Sequence, residues 1–146
     1  MQYIRAAAEA DLARIAEIEV FNYRLNFYPI FRNDEFYFEE LQVPSLMRQR
    51  TESLEHIFVY DDGAVKGFLH TETGEVKKLF VEPVLQGQGI GAALLEYAIE
   101  RLGASRLWAL EQNRRAITFY ERHGFRVTPE RKPEEGTAED LVLLQR

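Results

Sequence analysis

Cysteine is absent from the 146-residue chain, which excludes thiol nucleophiles, disulfide frameworks and Cys-type zinc sites. The same absence fits a reducing compartment, so a cytoplasmic location is expected. No stretch approaches the roughly 20 apolar residues needed to span a bilayer. Met1-Gln2-Tyr3-Ile4-Arg5-Ala6 also lacks a basic region followed by a long apolar run, so neither a leader nor a membrane partner is expected. Positive charge is in short supply: the formal net charge is −6 and the pI is near 5.2. That balance argues against nucleic acid, whose phosphates require a basic face. His56, His70 and His123 have no metal-ligand spacing around them, so no metal is expected. Internal repeats and low-complexity segments are missing as well. The length suits a single domain over residues 1–146 that buries a core without covalent or metal staples.

Tyr3-Ile4-Arg5 reads as a short strand and Glu9 to Tyr23 as a helix. Leu12, Ile15, Ala16, Ile18 and Val20 keep helical spacing, and Asp11 stands where a carboxylate suits the helix dipole. From Asn22 to Thr51 the pattern loosens. Phe21, Tyr23, Phe27, Tyr28, Phe31, Phe36, Tyr37 and Phe38 crowd one region broken by Pro29 and Pro44, with a second helix expected somewhere within Asp34 to Arg50. The period then switches to strands: His56 to Tyr60, a turn at Asp61-Asp62-Gly63, Ala64 to His70, a tight connection through Thr73-Gly74, and Glu75 to Val81. A helix ends near Leu102-Gly103, Arg106 to Leu110 is a strand, and Arg114 to Arg122 is a short helix stopped by Gly124. Phe125 to Val127 and Leu141 to Leu144 are the last strands, and the polar stretch Pro129 to Asp140 is expected as an exposed loop. Trp108, on a central strand, is expected in the core.

The most informative segment is Val81-Glu82-Pro83-Val84-Leu85-Gln86-Gly87-Gln88-Gly89-Ile90-Gly91-Ala92, which joins an apolar strand to the helix beginning near Ala92. Glycines there let backbone N–H groups approach a ligand, and the helix start favours an anion such as a phosphate. Gly87 to Ala92 also fits the dinucleotide pattern Gly-x-Gly-x-x-Gly/Ala, with Glu111 about 20 residues on to hold a ribose. Three features oppose that reading. The strand ends at Val81, Pro83 interrupts the direct turn, and the 35 residues after Glu111 hold no second mononucleotide-binding half.

The order Val-x-Pro, then Gln-x-x-Gly-x-Gly at Gln86 to Gly91, resembles the GNAT superfamily of acyl-coenzyme A N-acyltransferases. A second block strengthens the resemblance: Leu107-Trp108-Ala109-Leu110, Asn113, then Ala116-Ile117-Thr118-Phe119-Tyr120-Glu121-Arg122-His123-Gly124-Phe125. The resemblance covers the chain well from about Val76 to Phe125. It implies an α+β fold with a mixed, mostly antiparallel sheet of about six to seven strands flanked by about four helices. It also implies acetyl-CoA as co-substrate and transfer of an acetyl group to a primary amine, in a small molecule or a peptide. By this likeness, the backbone of Leu79, Phe80 and Val81 meets the pantetheine arm and acetyl carbonyl. The amides of Gln86, Gly87, Gln88, Gly89, Ile90, Gly91 and Ala92 take the pyrophosphate, while Asn113, Ala116 and Phe119 contact the cofactor. Tyr120 is the implied general acid at the sulfur.

A general base is harder to assign. Glu75 lies six residues before Val81, at a position where some members carry a catalytic glutamate, with Glu72 and Glu111 behind it and with no dedicated base as the alternative. Arg114, Arg115, Arg122, Lys77 and Lys78 supply local positive charge for an anionic cofactor. The aromatic stretch Phe21 to Phe38, with Asp34, Glu35, Glu39 and Glu40, is the candidate acceptor element, since aromatic faces and carboxylates suit an ammonium group. Ordinary packing and a solvated acidic face explain the same residues, and the aromatics equally leave a homodimer interface open. Two functional alternatives stand beside the enzyme: a non-catalytic acyl-CoA-binding module and a nicotinamide-dinucleotide-binding domain.

Overall fold

The computed structural model describes residues 2–146. Seven strands form one sheet: β1 (Ile4–Ala6), β2 (Ile57–Asp61), β3 (Val65–Glu72), β4 (Glu75–Val81), β5 (Arg106–Leu110), β6 (Arg126–Pro133) and β7 (Asp140–Gln145). Their order is β1-β2-β3-β4-β5-β7-β6, and every neighbouring pair is antiparallel except β4 with β5. The helices are α1 (Leu12–Asn26), α2 (Tyr28–Phe31), α3 (Val43–Ser53), α4 (Ile90–Leu102) and α5 (Arg114–Arg122), with a π turn at Phe36–Glu40. This is the expected mixed, mostly antiparallel α+β fold, with the short α2 added. One parallel pair is not a doubly wound nucleotide sheet, and Glu111 is spent on Arg131 at 3.3 Å. Among the described residues no helix is long and apolar enough to cross a membrane.

Apolar periodicity sets the two layers. On one face Ile57, Val59 and Phe68 of the sheet pack against Ile15 and Ile18 of α1, all essentially without solvent exposure. The other face carries Leu69, Val76, Leu107, Val142 and Leu144 under Leu94, Leu95 and Ala98 of α4, with Ile117 of α5 and Phe125 completing the core. Gly67 sets how closely α4 approaches: a Cβ there would stand 3.0 Å from the Phe80 carbonyl oxygen and 3.1 Å from Leu94. A third cluster joins α1 to the segment after it, through Ala16, Val20, Tyr37, Leu41 and Leu46. Most of the aromatic stretch is therefore packing, while Phe21, Phe36 and Phe38 stay exposed.

Two sequence expectations change. The Pro129 to Asp140 segment is not a loop throughout, because β6 runs on to Pro133 and pairs with β7 through Arg131, Lys132 and Pro133 after a register break. A strand at the sheet edge with solvent on it needs no apolar alternation, and that hid it. The second helix, expected within Asp34 to Arg50, starts at Val43 after the π turn and runs past Arg50 to Ser53.

Candidate active site

β4 and β5 run parallel but pair only at Glu75 with Arg106 and Val76 with Leu107. Beyond that point β4 stays with β3 as far as Val81, and β5 stays with β7 as far as Leu110. The two strands therefore part, and a cleft of about 930 Å³ opens between Val76 to Val81 on one wall and Leu107 to Leu110 on the other. Strand edges that face a gap keep N–H and C=O groups free for a ligand.

The glycine turn closes one end of this cleft. Gln86 N–H reaches the Pro83 carbonyl at 3.4 Å, and regular helix bonding resumes with Ala93 N–H on the Gly89 carbonyl at 3.0 Å. The amides of Gly87 through Ala92 lie between those bonds, and no side chain caps α4. Gly87 and Gly89 hold φ near +86° and +85° with open space where a Cβ would stand. Glycine is required there for backbone conformation, and the space above the amides fits a phosphate at a helix start.

The α5 end is built by its cap. Asn113 Oδ1 accepts from Ala116 N–H at 3.2 Å, which starts the helix, and Asn113 itself lines the cleft. One turn further, Tyr120 packs on Phe119 and Phe125 with its ring lining the cleft. Burial alone pushes its phenol pKa up, so the hydroxyl stays protonated and able to donate.

Leu79, Phe80, Val81, Gln86, Gly87, Gly89, Ile90, Gly91, Ala92, Asn113, Ala116, Phe119 and Tyr120 are thus brought together around one cleft. Gln88 is not among them and points to solvent. The Gln86 side chain is committed elsewhere, donating to Asn22 Oδ1 at 3.1 Å, so only its main chain is free for a ligand. Glu75 is corrected as a candidate base. It sits where β4 and β5 are still paired, outside the cleft lining, with its carboxylate 3.3 Å from Lys77 and 3.8 Å from Arg106. Arg115, Arg122, Lys77 and Lys78 face the cleft, whereas Arg114 does not. Trp108 is a cleft residue rather than core, with Lys132 Nζ 4.3 Å from its ring centroid.

On the α1 side the aromatics of the expected acceptor stretch line the cleft, while sequence reasoning missed the polar residues behind and between them. Asn22, fully buried, donates to the Val81 carbonyl at 2.9 Å and so ties α1 to the end of β4. Tyr23, Asn26, Phe27, Phe31, Phe36 and Tyr37 line the same side. The acidic groups on the cleft are Glu134 and Glu135 of the β6–β7 connection; Asp34, Glu35, Glu39 and Glu40 are exposed and outside it. Behind Tyr23 lies Glu19, with no solvent exposure, held by Arg50 at 2.9 Å and by the Tyr23 hydroxyl at 2.7 Å. Lys78 Nζ donates to the Tyr23 hydroxyl at 2.8 Å and stands 3.5 Å from Glu19. A polar residue inside the α1 repeat, Glu19, was the one available signal.

An open parallel seam, a glycine turn at a helix start and a capped helix carrying a buried phenol define an acyltransferase-like cleft. The Acetyltransferase (GNAT) domain family matches residues 53–127, and the chain belongs to that family. The peptidyl-lysine N-acetyltransferase YjaB of Salmonella typhimurium is 35% identical over 72 residues, which is 49% of this chain and 50% of that protein. The chain thus spans about half the length of that curated relative. Among solved structures, apo YjaB from Escherichia coli superposes with a TM-score of 0.72 at 23% identity, covering 97% of this chain and 95% of that one. The PaiA N-acetyltransferase of Thermoplasma acidophilum, in complex with coenzyme A, gives 0.68 at 22% identity over 98% and 97%. At these identities the structural likeness establishes the fold.

Proposed function

We propose that this chain transfers an acetyl group from acetyl-CoA to a primary amine, directly, in a ternary complex. The observation that carries the reading is the seam between β4 and β5, which stops pairing after Val76 and Leu107 and leads into the unengaged amides of Gly87 to Ala92. Coenzyme A bound to the T. acidophilum neighbour and the peptidyl-lysine activity in the name of the S. typhimurium relative support donor and acceptor class.

Acetyl-CoA supplies an activated thioester carbonyl; the rest is the work of this chain. The turn amides hold the pyrophosphate by charge-assisted hydrogen bonds without a cationic side chain. The edge of Leu79, Phe80 and Val81, apart from the Val81 carbonyl that Asn22 holds, orients the pantetheine arm and polarises the carbonyl. Asn113 steadies the arm through its amide nitrogen, with Ala116 and Phe119 alongside. Tyr120 donates a proton at the sulfur as the thiol departs. The aromatic side of Phe27, Phe31 and Tyr37, rimmed by Glu134 and Glu135, receives a cationic amine.

Thiol release from acetyl-CoA, measured with a thiol reagent across a panel of amines, tests this reading in a protein with no cysteine background. Amine-dependent release is expected, together with a rise in Tm on adding CoA. CoA stabilisation without release from any amine would mark a binding module. Stabilisation by NAD and not by CoA would overturn the acyl-CoA reading.

A further inference from the structure

The cluster at the α1 side of the cleft has more positive than negative charge. Glu19 is one carboxylate with no solvent exposure, and two cations share it: Arg50 at 2.9 Å and Lys78 at 3.5 Å, with side-chain exposures of 12% and 23%. Arginine does not give up its proton in a protein, so a surplus buried positive charge is relieved only at Lys78. Burial lowers the Lys78 pKa first; Glu19 raises it, Arg50 lowers it, and Glu134 raises it more weakly. The other groups around it are Tyr23 on α1, His70 opposite it on β3, Tyr37 on the π turn, and Lys77 and Glu75 on its own strand. His70 is itself held below its ordinary pKa by burial and bonded to Glu72 at 2.9 Å, so it adds little further positive charge.

The hydrogen bonds leave Lys78 one accepting position in its neutral form. Tyr23 donates its hydroxyl proton to Glu19 at 2.7 Å and accepts from Lys78 at 2.8 Å. A neutral Lys78 amine keeps an N–H for Tyr23 and has a lone pair to spare, on a residue that lines the cleft one position before the Leu79–Val81 edge.

We propose that Lys78 is the general base that deprotonates the acceptor ammonium, a role that rests on the acetyltransferase reading above. Lys78 takes one proton from the R–NH3+ acceptor and later releases it to water. The freed nitrogen lone pair forms the C–N bond at the thioester carbonyl as the C–S bond breaks. Tyr120 gives its proton to the departing sulfur and regains one from the nitrogen as the amide forms. The sum is one amide, one thiol and one proton, with no oxidant or reductant involved.

The test combines a direct titration with a rate profile. Lys66, Lys77, Lys78 and Lys132 are the lysines of the chain, so the 13Cε signals of [13C]lysine-labelled protein resolve Lys78 by its loss in Lys78→Arg. Its midpoint is expected below the ordinary 10.4 of lysine, and it should move upward in Arg50→Met, which removes the competing cation. An ordinary midpoint in the wild-type protein overturns the proposal whatever the acceptor. In thiol-release assays with the best amine of the panel, Lys78→Met and Lys78→Arg should each lose about 10²-fold or more in kcat/KM, with the CoA-induced Tm rise unchanged. The acidic limb of the pH profile should follow the Lys78 midpoint upward in Arg50→Met. Activity of Lys78→Met within a few-fold of wild type, or a limb that ignores Arg50→Met, overturns the base and leaves the acetyltransferase reading standing. Absence of both transfer and CoA stabilisation in the wild type overturns that reading as well.

Discussion

Val81 to Tyr120 and Asn22 to Tyr37 line one cleft, yet they are assembled in opposite ways. On the first side the working groups are largely main chain, and they follow in order: strand end, glycine turn, helix start, then a capped helix with Tyr120. Neighbours in sequence are neighbours in the site. On the second side Asn22 and Tyr23 come from α1, Tyr37 from the π turn, Lys78 from β4 and Glu134 from the β6–β7 connection. Tyr23 and Lys78 among them are joined through a buried carboxylate, Glu19, which also holds Arg50 of α3. A site made of backbone tolerates side-chain change and depends on φ and ψ; one made of side chains depends on charge balance.

Four measurements test that contrast. Glu19→Ala should be the most damaging, because it strands the buried Arg50 guanidinium: a loss of about 3–5 kcal/mol in urea unfolding is expected, and a loss under 1 kcal/mol would mean the cluster carries little. Tyr120→Phe leaves packing intact and removes only the donated proton, so kcat should drop roughly 10²-fold or more at unchanged CoA affinity. A parallel fall in CoA binding would instead make Tyr120 a packing residue. Gly89→Ala forces a side chain onto φ +85° and should destabilise by about 1 kcal/mol while weakening CoA binding; Phe36→Ser, an exposed change on the other side, should leave CoA binding alone. The smallest effect is at His70. Burial holds its folded pKa below the unfolded value, so the unfolded chain binds more protons, and stability is full above about pH 6.5 and declines as pH falls toward the folded pKa. Tm should decrease between pH 7 and pH 5, and less so in His70→Gln.

The same contrast explains what could be read in advance. Strands β4 and β5 and helix α5 were legible to the residue, since turn glycines, a capping Asn113 and continuous apolar runs mark their ends locally. Thirteen cleft residues followed from one motif order, which the structure gathers as described. Glu75 did not, because its distance from Val81 along the strand says nothing about where β5 stops pairing. Asp34 and Glu35 were preferred to Glu134 for a related reason: acidic residues beside aromatics look like a site in one dimension, whereas the β6–β7 connection approaches only through sheet order.

Sequence by itself therefore determined the strand and helix order, the family and the main-chain half of the cleft. Each rests on interactions between residues close in the chain, where φ preferences, capping and periodicity act. Only the tertiary structure decided how far β4 and β5 part, that the Gln86 side chain turns inward to Asn22, and that Glu19, Arg50, Tyr23 and Lys78 share one buried charge balance. Those depend on contacts between segments far apart in the chain, such as Glu19 with Arg50, 31 residues apart, and Asn22 with Gln86, 64 residues apart. Burial sets the strength of such interactions, and burial exists only once the layers have packed.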